Sequence, residues 1–269
     1  MDTRFPHRIV CLTEEPTETL YALGEQERIV GISRFTVRPP EARKDKPRVS
    51  AFTGADVPAI LELEPDLVVG FSDIQADIAR ELIGAGVEVW IANHRSVDGI
   101  LSYVRRLGAM VGAADRADAY ARELEAHVEE VRRMATTLPR RPRVYFEEWD
   151  DPLITGIGWV AELIRIAGGD DIFPERAASS LAKGRILEDP TAVVDRAPDI
   201  VLVSWCGKRY RPGTVEARPG WEAVPAIRDG EIHEIDSAIV LQPGPAALTD
   251  GLDVIHRVVM AWSTTSEQR

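Results

Sequence analysis

The sequence predicts an α/β protein with two Rossmann-like lobes, each built on a parallel-type sheet, joined by one long rigid helix, with a ligand cleft between the lobes. Three observations predict it. Residues 59–69 read AILELEPDLVV and residues 192–202 read AVVDRAPDIVL, so one unit occurs twice. In each copy an apolar-faced stretch meets a Pro-Asp pair and then an unbroken aliphatic run. Proline ends a helix and pushes the preceding residue toward extended geometry, so each copy reads as helix end, turn and short strand. Runs such as Leu67-Val68-Val69 lack polar alternation, which fits strands covered on both faces. Between the copies, Ala117, Tyr120, Ala121, Leu124, Val128, Val131 and Ala135 recur at three- and four-residue steps. That stripe predicts a helix over 114–138, about 37 Å long.

The remaining elements follow in order. Strand one is read at Arg8–Leu12, then a short helix at Thr17–Leu23 with Pro16 before it and Gly24 as its stop. Strands are read at Ile29–Ile32, Leu67–Val69 and Val87–Ile91, with helices near 74–84 and 97–111. These short βα units favour right-handed crossovers and a parallel sheet. The expected division is an N-terminal lobe over 1–112, the backbone helix over 113–138 and a C-terminal lobe over 139–269. The second lobe opens with the strand Arg143–Phe146, continues with a helix at Trp159–Ala167 stopped by Gly168-Gly169, and adds a strand near Glu231–Ile235. A last helix is read over Pro245–Trp262, and the polar tail Ser263–Arg269 is expected to fray.

Bulk properties narrow the function. A formal charge of −12 argues against nucleic acid, which calls for clustered Lys and Arg. No apolar run approaches the roughly 20 residues of a membrane helix. The two cysteines, Cys11 and Cys206, end strands in different lobes and read as separate buried thiols. No charged and apolar leader precedes strand one, which places the protein in the cytoplasm if Met1 is the native start, and in the periplasm or outside the cell if the chain is trimmed.

Ligands of parallel α/β sheets sit beyond the carboxyl ends of the strands. Those ends hold Glu14 and Glu15, Phe35, Phe52, Phe71 and His94 in the first lobe. The second lobe offers Glu147, Glu148, Trp149, Asp150 and Asp151, then Trp205 with Lys208, Arg209 and Arg211, and finally Gln242-Pro-Gly-Pro. The aromatics among them suit stacking on a bulky organic ligand. The acids suit a hard cation, general acid–base work or a solvated loop. Lys208, Arg209 and Arg211 stand ready to neutralise some of them. Gln242-Pro-Gly-Pro either offers N–H groups to an anion or only stiffens a helix start. His94 reads as a loop anchor. There is no phosphate loop, nucleophile elbow or CxxC, and no metal site is expected.

In its order of motifs the chain resembles the helical-backbone (class III) substrate-binding proteins of ABC importers for cobalamin, haem and iron-siderophores, the cobalamin branch first. The stretches that carry the resemblance are Arg8-Ile-Val-Cys-Leu through Thr17-Glu18 to Ala22-Leu23-Gly24, Val30-Gly31-Ile32-Ser33, Arg38-Pro39-Pro40, and Pro47-Arg48-Val49 leading to Phe52. Pro65-Asp66-Leu-Val-Val and Ala167-Gly168-Gly169 with Ile172-Phe173 complete them. The resemblance implies a non-enzymatic, monomeric binder of a bulky small molecule. Cobalamin or another corrinoid comes first as ligand, and no cofactor is required. The aromatics Phe35, Phe52 and Phe71 would touch it from one side and loops at Ile154 and Trp205 from the other. Pro58 and Thr191 stand where the family carries its two permease-docking glutamates, with Asp56, Glu188 and Asp189 nearby.

The expected ligand-binding set is therefore Glu14, Glu15, Phe35, Phe52, Phe71, Glu148, Trp149, Ile154, Trp205, Arg209 and Gln242. Three other readings stay open: an iron-siderophore or haem binder, a cytosolic carrier or sensor that has lost its importer, and an enzyme with Glu14, Glu147 or Glu148 as general base.

Overall fold

The computed structural model describes residues 4–265, and its chain divides into two units. Unit one holds the residues up to His94, Asp98–Glu125 and Pro243–Pro245. Unit two holds Arg95–Val97, Ala126–Gln242 and the residues from Ala246 on. Of the polar tail, residues 266–269 lie outside the described residues, while Ser263 to Thr265 complete the last helix.

Unit one is built on β1 (Ile9–Cys11), β2 (Ile29–Ser33), β3 (Arg48–Ser50), β4 (Leu67–Phe71) and β5 (Val89–Ala92), all parallel in the order β3-β2-β1-β4-β5. β1 and β4 are buried at every residue, as their unbroken apolar runs require. β3 escapes a periodicity reading because Arg-Val-Ser is too short to carry one. The first helix spans Glu14–Ala22, three residues earlier than Thr17, with extended Thr13 as N-cap. Pro16 sits inside its first turn, where a missing N–H removes no helical bond. Glu14 and Glu15 thus open a helix, where the helix dipole favours negative charge, rather than forming a loop.

Unit two is built on β6 (Arg143–Asp150), β7 (Leu153–Thr155), β8 (Asp170–Asp171), β9 (Ile200–Val203) and β10 (Ile232–Glu234). The order is β10-β9-β6-β7, with β8 on β6. Pairing is parallel except for β7, which runs antiparallel to β6. The acidic stretch 147–151 is therefore no strand-end loop. β6 runs on through Asp150 and turns back at Asp151-Pro152, which sets Ile154 opposite Trp149.

The repeated Pro-Asp units do the same work in both sheets. The Asp66 carboxylate accepts the N–H groups of His7 (2.7 Å) and Arg8 (2.9 Å), while the Asp66 N–H donates to the Arg8 carbonyl at 3.0 Å. Asp199 accepts the Arg143 N–H at 2.8 Å and donates its own N–H to the Arg143 carbonyl, also at 2.8 Å. Each arginine side chain then reaches back to the end of the preceding helix: Arg8 Nε to Leu63 O at 3.0 Å, Arg143 Nη1 to Arg196 O at 3.3 Å. Arg143 also forks Asp199. The clamp fixes where β4 starts against β1 and β9 against β6.

The residue before each proline departs from the extended geometry expected of it. Glu64 and Ala197 have φ of 47° and 43°, in the left-handed region. Proline excludes the right-handed helical well, and a left-handed residue both ends the helix and turns the chain, as the Ala197 N–H bond to Val193 O (3.1 Å) does.

The long helix spans Ala114–Ala135, about 33 Å, and stops short of Leu138. Its residues up to Glu125 belong to unit one and the rest to unit two. Ala117, Ala121, Leu124, Val128, Val131 and Ala135 are buried as predicted. Within unit one, a Cβ on Gly108 would fall 2.1 Å from Ala117 Cβ, so only glycine lets the helix Val97–Met110 approach this closely. The last helix is Leu252–Thr265, preceded by a π-turn at Ala247–Gly251 that the sequence pattern does not reveal.

The clamp yields the first test. Ala197→Gly and Glu64→Gly should each raise stability by about 1 kcal/mol by relieving the left-handed backbone. Asp199→Ala should lower it by about 2 kcal/mol, the worth of its charged hydrogen bonds. Urea midpoints read both, and a destabilising glycine would contradict the left-handed assignment.

Candidate functional site

In unit one the strand order reverses at β1 and β4, the place where doubly wound sheets put ligands. Beyond it stand Glu14 and Glu15, Phe71 closes β4, and His94 lies two residues past β5. Glu15 is 1% exposed, and its Oε1 accepts the Thr13 hydroxyl at 2.6 Å. Pro243-Gly244-Pro245 packs directly on this helix start: a Cβ on Gly244 would lie 2.6 Å from Glu15 Cβ. His94 anchors that segment, its Nε2 donating to Pro243 O at 2.7 Å. The Gln242-Pro-Gly-Pro segment is thus a structural tether at its glycine and prolines, and Gln242 itself is half-buried.

Rings form a column behind this edge. Phe71 meets His94 edge-on at 5.1 Å, His94 stacks on Tyr103 at 4.9 Å, and Tyr103 stacks on Trp90 at 5.4 Å. Burial, reinforced by the Glu15 charge, pushes the Tyr103 phenol well above its ordinary value. Phe71 is 4% exposed, so its ring serves the column rather than a surface. Gln75, fully buried, accepts the Phe71 N–H at 2.9 Å and donates to Phe52 O at 3.2 Å. Phe52 is half-buried and Phe35 is 47% exposed. Of the three phenylalanines, these two present ring surface.

In unit two Glu147, Glu148 and Asp150 are taken up by cations. Arg218 forks the wholly buried Glu147 at 2.6 and 2.8 Å, and Trp205 Nε1 donates to the same carboxylate at 3.1 Å. Arg185, 2% exposed, forks Glu148 and also donates to Thr155 O at 2.5 Å. Lys208 pairs with Asp150 and lies over the rings of Trp149 (5.6 Å) and Trp205 (4.7 Å). Carboxylates held by two guanidinium donors have no role left as general bases, which removes the enzyme reading for Glu147 and Glu148.

The expected neutralisers were Lys208, Arg209 and Arg211; only Lys208 pairs with an acid, and the two arginines that matter were missed. Nothing in the spacing of Arg185 or Arg218 points to them. The only available signal is that a glutamate inside a strand must find a cation if buried.

Other residues fall as follows. Trp205 is 4% exposed and belongs to the unit-two core; Trp149 and Ile154 are half-buried. Exposed Arg209 lines a cavity of about 320 Å³ with Trp205, Lys208, Glu234 and Asp236. Cys11 and Cys206 are not joined by a disulfide. Cys11 is buried, its thiol pushed up to about 12 by burial, but Cys206 is exposed because the chain turns outward after Trp205. Pro58 and Thr191 are exposed. Their neighbouring acids cap helices: Asp56 accepts the Ala59 N–H at 3.1 Å, and Asp189 accepts the Thr191 hydroxyl and N–H at 2.7 and 2.9 Å. Among the described residues, no three His, Cys, Asp or Glu side chains are grouped to hold a metal ion.

Two α/β units, one with Glu147, Glu148 and Asp150 held in ion pairs and the other with part-exposed rings at its strand ends, suit a binding protein. The chain belongs to the periplasmic binding protein family, whose model matches residues 9–239. It is 24% identical over 248 residues to a vitamin B12-binding protein of Vibrio vulnificus, covering 90% of this chain and 86% of that one. A periplasmic haem-binding protein from Roseiflexus sp. RS-1 superposes with a TM-score of 0.78 at 27% identity, over 94% of this chain and 99% of that one. The periplasmic vitamin B12 binding protein of Vibrio cholerae does so with a TM-score of 0.74 at 18% identity, over 98% and 99%. The protein is a non-enzymatic substrate-binding protein of this two-lobed fold.

Two tests follow. Glu147→Gln should destabilise by about 3 kcal/mol, because it strands the Arg218 charge, and adding Arg218→Met should recover part of the loss. A double-mutant cycle showing no coupling would refute the pairing. Asp171, in β8, has its carboxyl raised to about 6 by burial, despite the Phe173 N–H bond to it at 3.1 Å. It therefore adds stability below about pH 4 that is lost as pH rises through about 6. Asp171→Asn should flatten that slope and be about 2 kcal/mol more stable at pH 7; parallel unfolding curves for the two proteins would contradict it.

Proposed function

We propose that the protein binds a bulky, cofactor-like small molecule, cobalamin or a related corrinoid first, for handover to an ABC importer permease. The reading is carried by the part-exposed rings of Phe35 and Phe52 at the strand-end edge of unit one, in a chain whose relatives include a vitamin B12-binding protein. Flat rings at fixed positions suit a large planar ligand. Phe35, Phe52, Trp149 and Ile154 supply the apolar contacts, and Arg209 and Gln242 the polar ones. Glu14, Glu15 and Phe71 support the contacts offered by unit one, and Glu148 and Trp205 those offered by unit two. The functional division is the lobes 1–112 and 139–269 with the helix 113–138. The protein works as a monomer; its place outside the cytoplasm is supported by its family's name. Haem is the second reading, favoured by the likeness to the Roseiflexus haem-binding protein.

Titration with cyanocobalamin, cobinamide, haemin and ferric siderophores, followed by absorbance and Trp fluorescence, tests the reading. A corrinoid should bind with Kd below about 10 μM, or −7 kcal/mol, and Phe52→Ala should weaken it at least tenfold. Corrinoids that all fail at that level would remove the leading ligand, and haemin binding alone would move the assignment to haem.

A further inference from the structure

At the outer edge of the unit-one sheet lies a concavity of about 520 Å³ lined by Arg34, Phe35, Val37, Arg43 and Arg48. Three of its five lining residues are arginines and none is acidic, in a chain of net charge −12. Elsewhere in the protein exposed Arg143 meets Asp199, buried Arg185 meets Glu148 and half-buried Arg218 meets Glu147, while Arg34, Arg43 and Arg48 are all exposed. Among the described residues, Arg34, Arg43 and Arg48 enter no ion pair. Each arrives on a fixed piece of backbone. Arg34 directly follows β2, its N–H bonded to Ser50 O at 2.8 Å; Arg48 opens β3 with its Cα beside Ile32; Arg43 sits in the short helix Ala42–Asp45.

The acids nearest in sequence do not relieve this charge. Glu41 and Asp45 stand two residues either side of Arg43, a spacing that points away from it on a helix. With burial first, both raise the Tyr21 phenol, so their charge is felt on that side, and Glu41 lines a separate cavity with Tyr21 and Tyr120. Three arginines lining one concavity with no acid in its lining make its potential positive, which a bound anion would offset. Guanidinium forks match the paired oxygens of carboxylate and phosphate. Beside them, Phe35 (47% exposed) and Val37 (38%) offer an apolar wall.

We infer that this concavity is an anion subsite, taking a carboxylate or phosphate group of a ligand whose apolar body lies on Phe35. The inference rests on Phe35 belonging to the ligand surface and narrows the substrate class to an acidic amphipathic molecule.

Calorimetry on the full chain in low salt, with benzene-1,3,5-tricarboxylate and inorganic pyrophosphate as probes, tests it and separates the two sources of the acid. At least one probe should bind near one-to-one with a submillimolar Kd. Arg34→Gln with Arg43→Gln should weaken it at least tenfold. A control double, Arg106→Gln with Arg228→Gln, removes the same charge from exposed arginines elsewhere and should leave it within about twofold. Circular dichroism melts of both doubles should match the parent. Neither probe binding, or equal losses in the two doubles, overturns the subsite. A chain that binds pyrophosphate but no corrinoid keeps the subsite and loses the corrinoid reading. One that binds corrinoid but neither anion does the reverse.

Discussion

Everything in both units hangs on how their central strands begin. A parallel strand buried on both faces has no solvent to satisfy its first amide, so its N-terminal N–H needs a fixed acceptor. The Pro-Asp pair supplies one twice. Asp66 and Asp199 accept from the residue at the start of the neighbouring strand, Arg8 just before β1 and Arg143 opening β6, and return a backbone bond to it. The proline forbids the helix from running on, and the left-handed Glu64 or Ala197 makes the turn. A register slip would break both backbone bonds and turn each buried side chain to the wrong face. The strand ends that carry the proposed ligand contacts are thus set from the opposite end of the sheet.

Charge plays two distinct parts in this acidic chain. Within unit two, Glu147 and Glu148 sit on one strand and draw in Arg218 and Arg185 from distant segments, each pair a two-pronged fork. Buried pairs of this kind gain little against an apolar substitute, but they penalise any arrangement that separates them. Their yield is positional: Trp205 is oriented by its bond to Glu147, and β7 is stitched through Arg185 to Thr155. The arginines at the β2–β3 edge of unit one have no such partner, and the difference between paired and unpaired guanidiniums separates framework from surface.

How far the sequence could be read depended on the range of the interaction. The aliphatic runs, the stripe of the long helix and the Pro-Asp repeats are local patterns, and all became the elements they predict. The start of the first helix was misplaced because Pro16 is as acceptable inside the first turn as before it. The hairpin of β6 and β7 was missed because Glu147-Glu148-Trp149-Asp150 looks polar. Its burial depends on Arg185 and Arg218, far along the chain. For the same reason Phe71 and Trp205 read as surface rings although neighbours bury them. His94 shows the favourable case: its role as an anchor followed from being alone, without ligand-like companions.

The two rings that unit one leaves part-exposed, Phe52 and Phe35, are not equivalent in what binding would ask of them. Phe52 lies in a segment held by Gln75, a buried side chain already fixed by its bond to the Phe71 N–H. That bond fixes the Phe52 backbone, and the ring is half-buried, so less of its freedom is left to lose when a ligand contacts it. Phe35 is likewise held through its backbone, the N–H bonded to Ser33 Oγ at 3.2 Å, but its ring is 47% exposed and lines the arginine concavity. Ordering that ring at binding consumes part of the contact energy, about 0.5–1.5 kcal/mol for an immobilised side chain. Phe52 is accordingly placed to set affinity. Phe35, beside a charge that favours only acidic ligands, is placed to set choice.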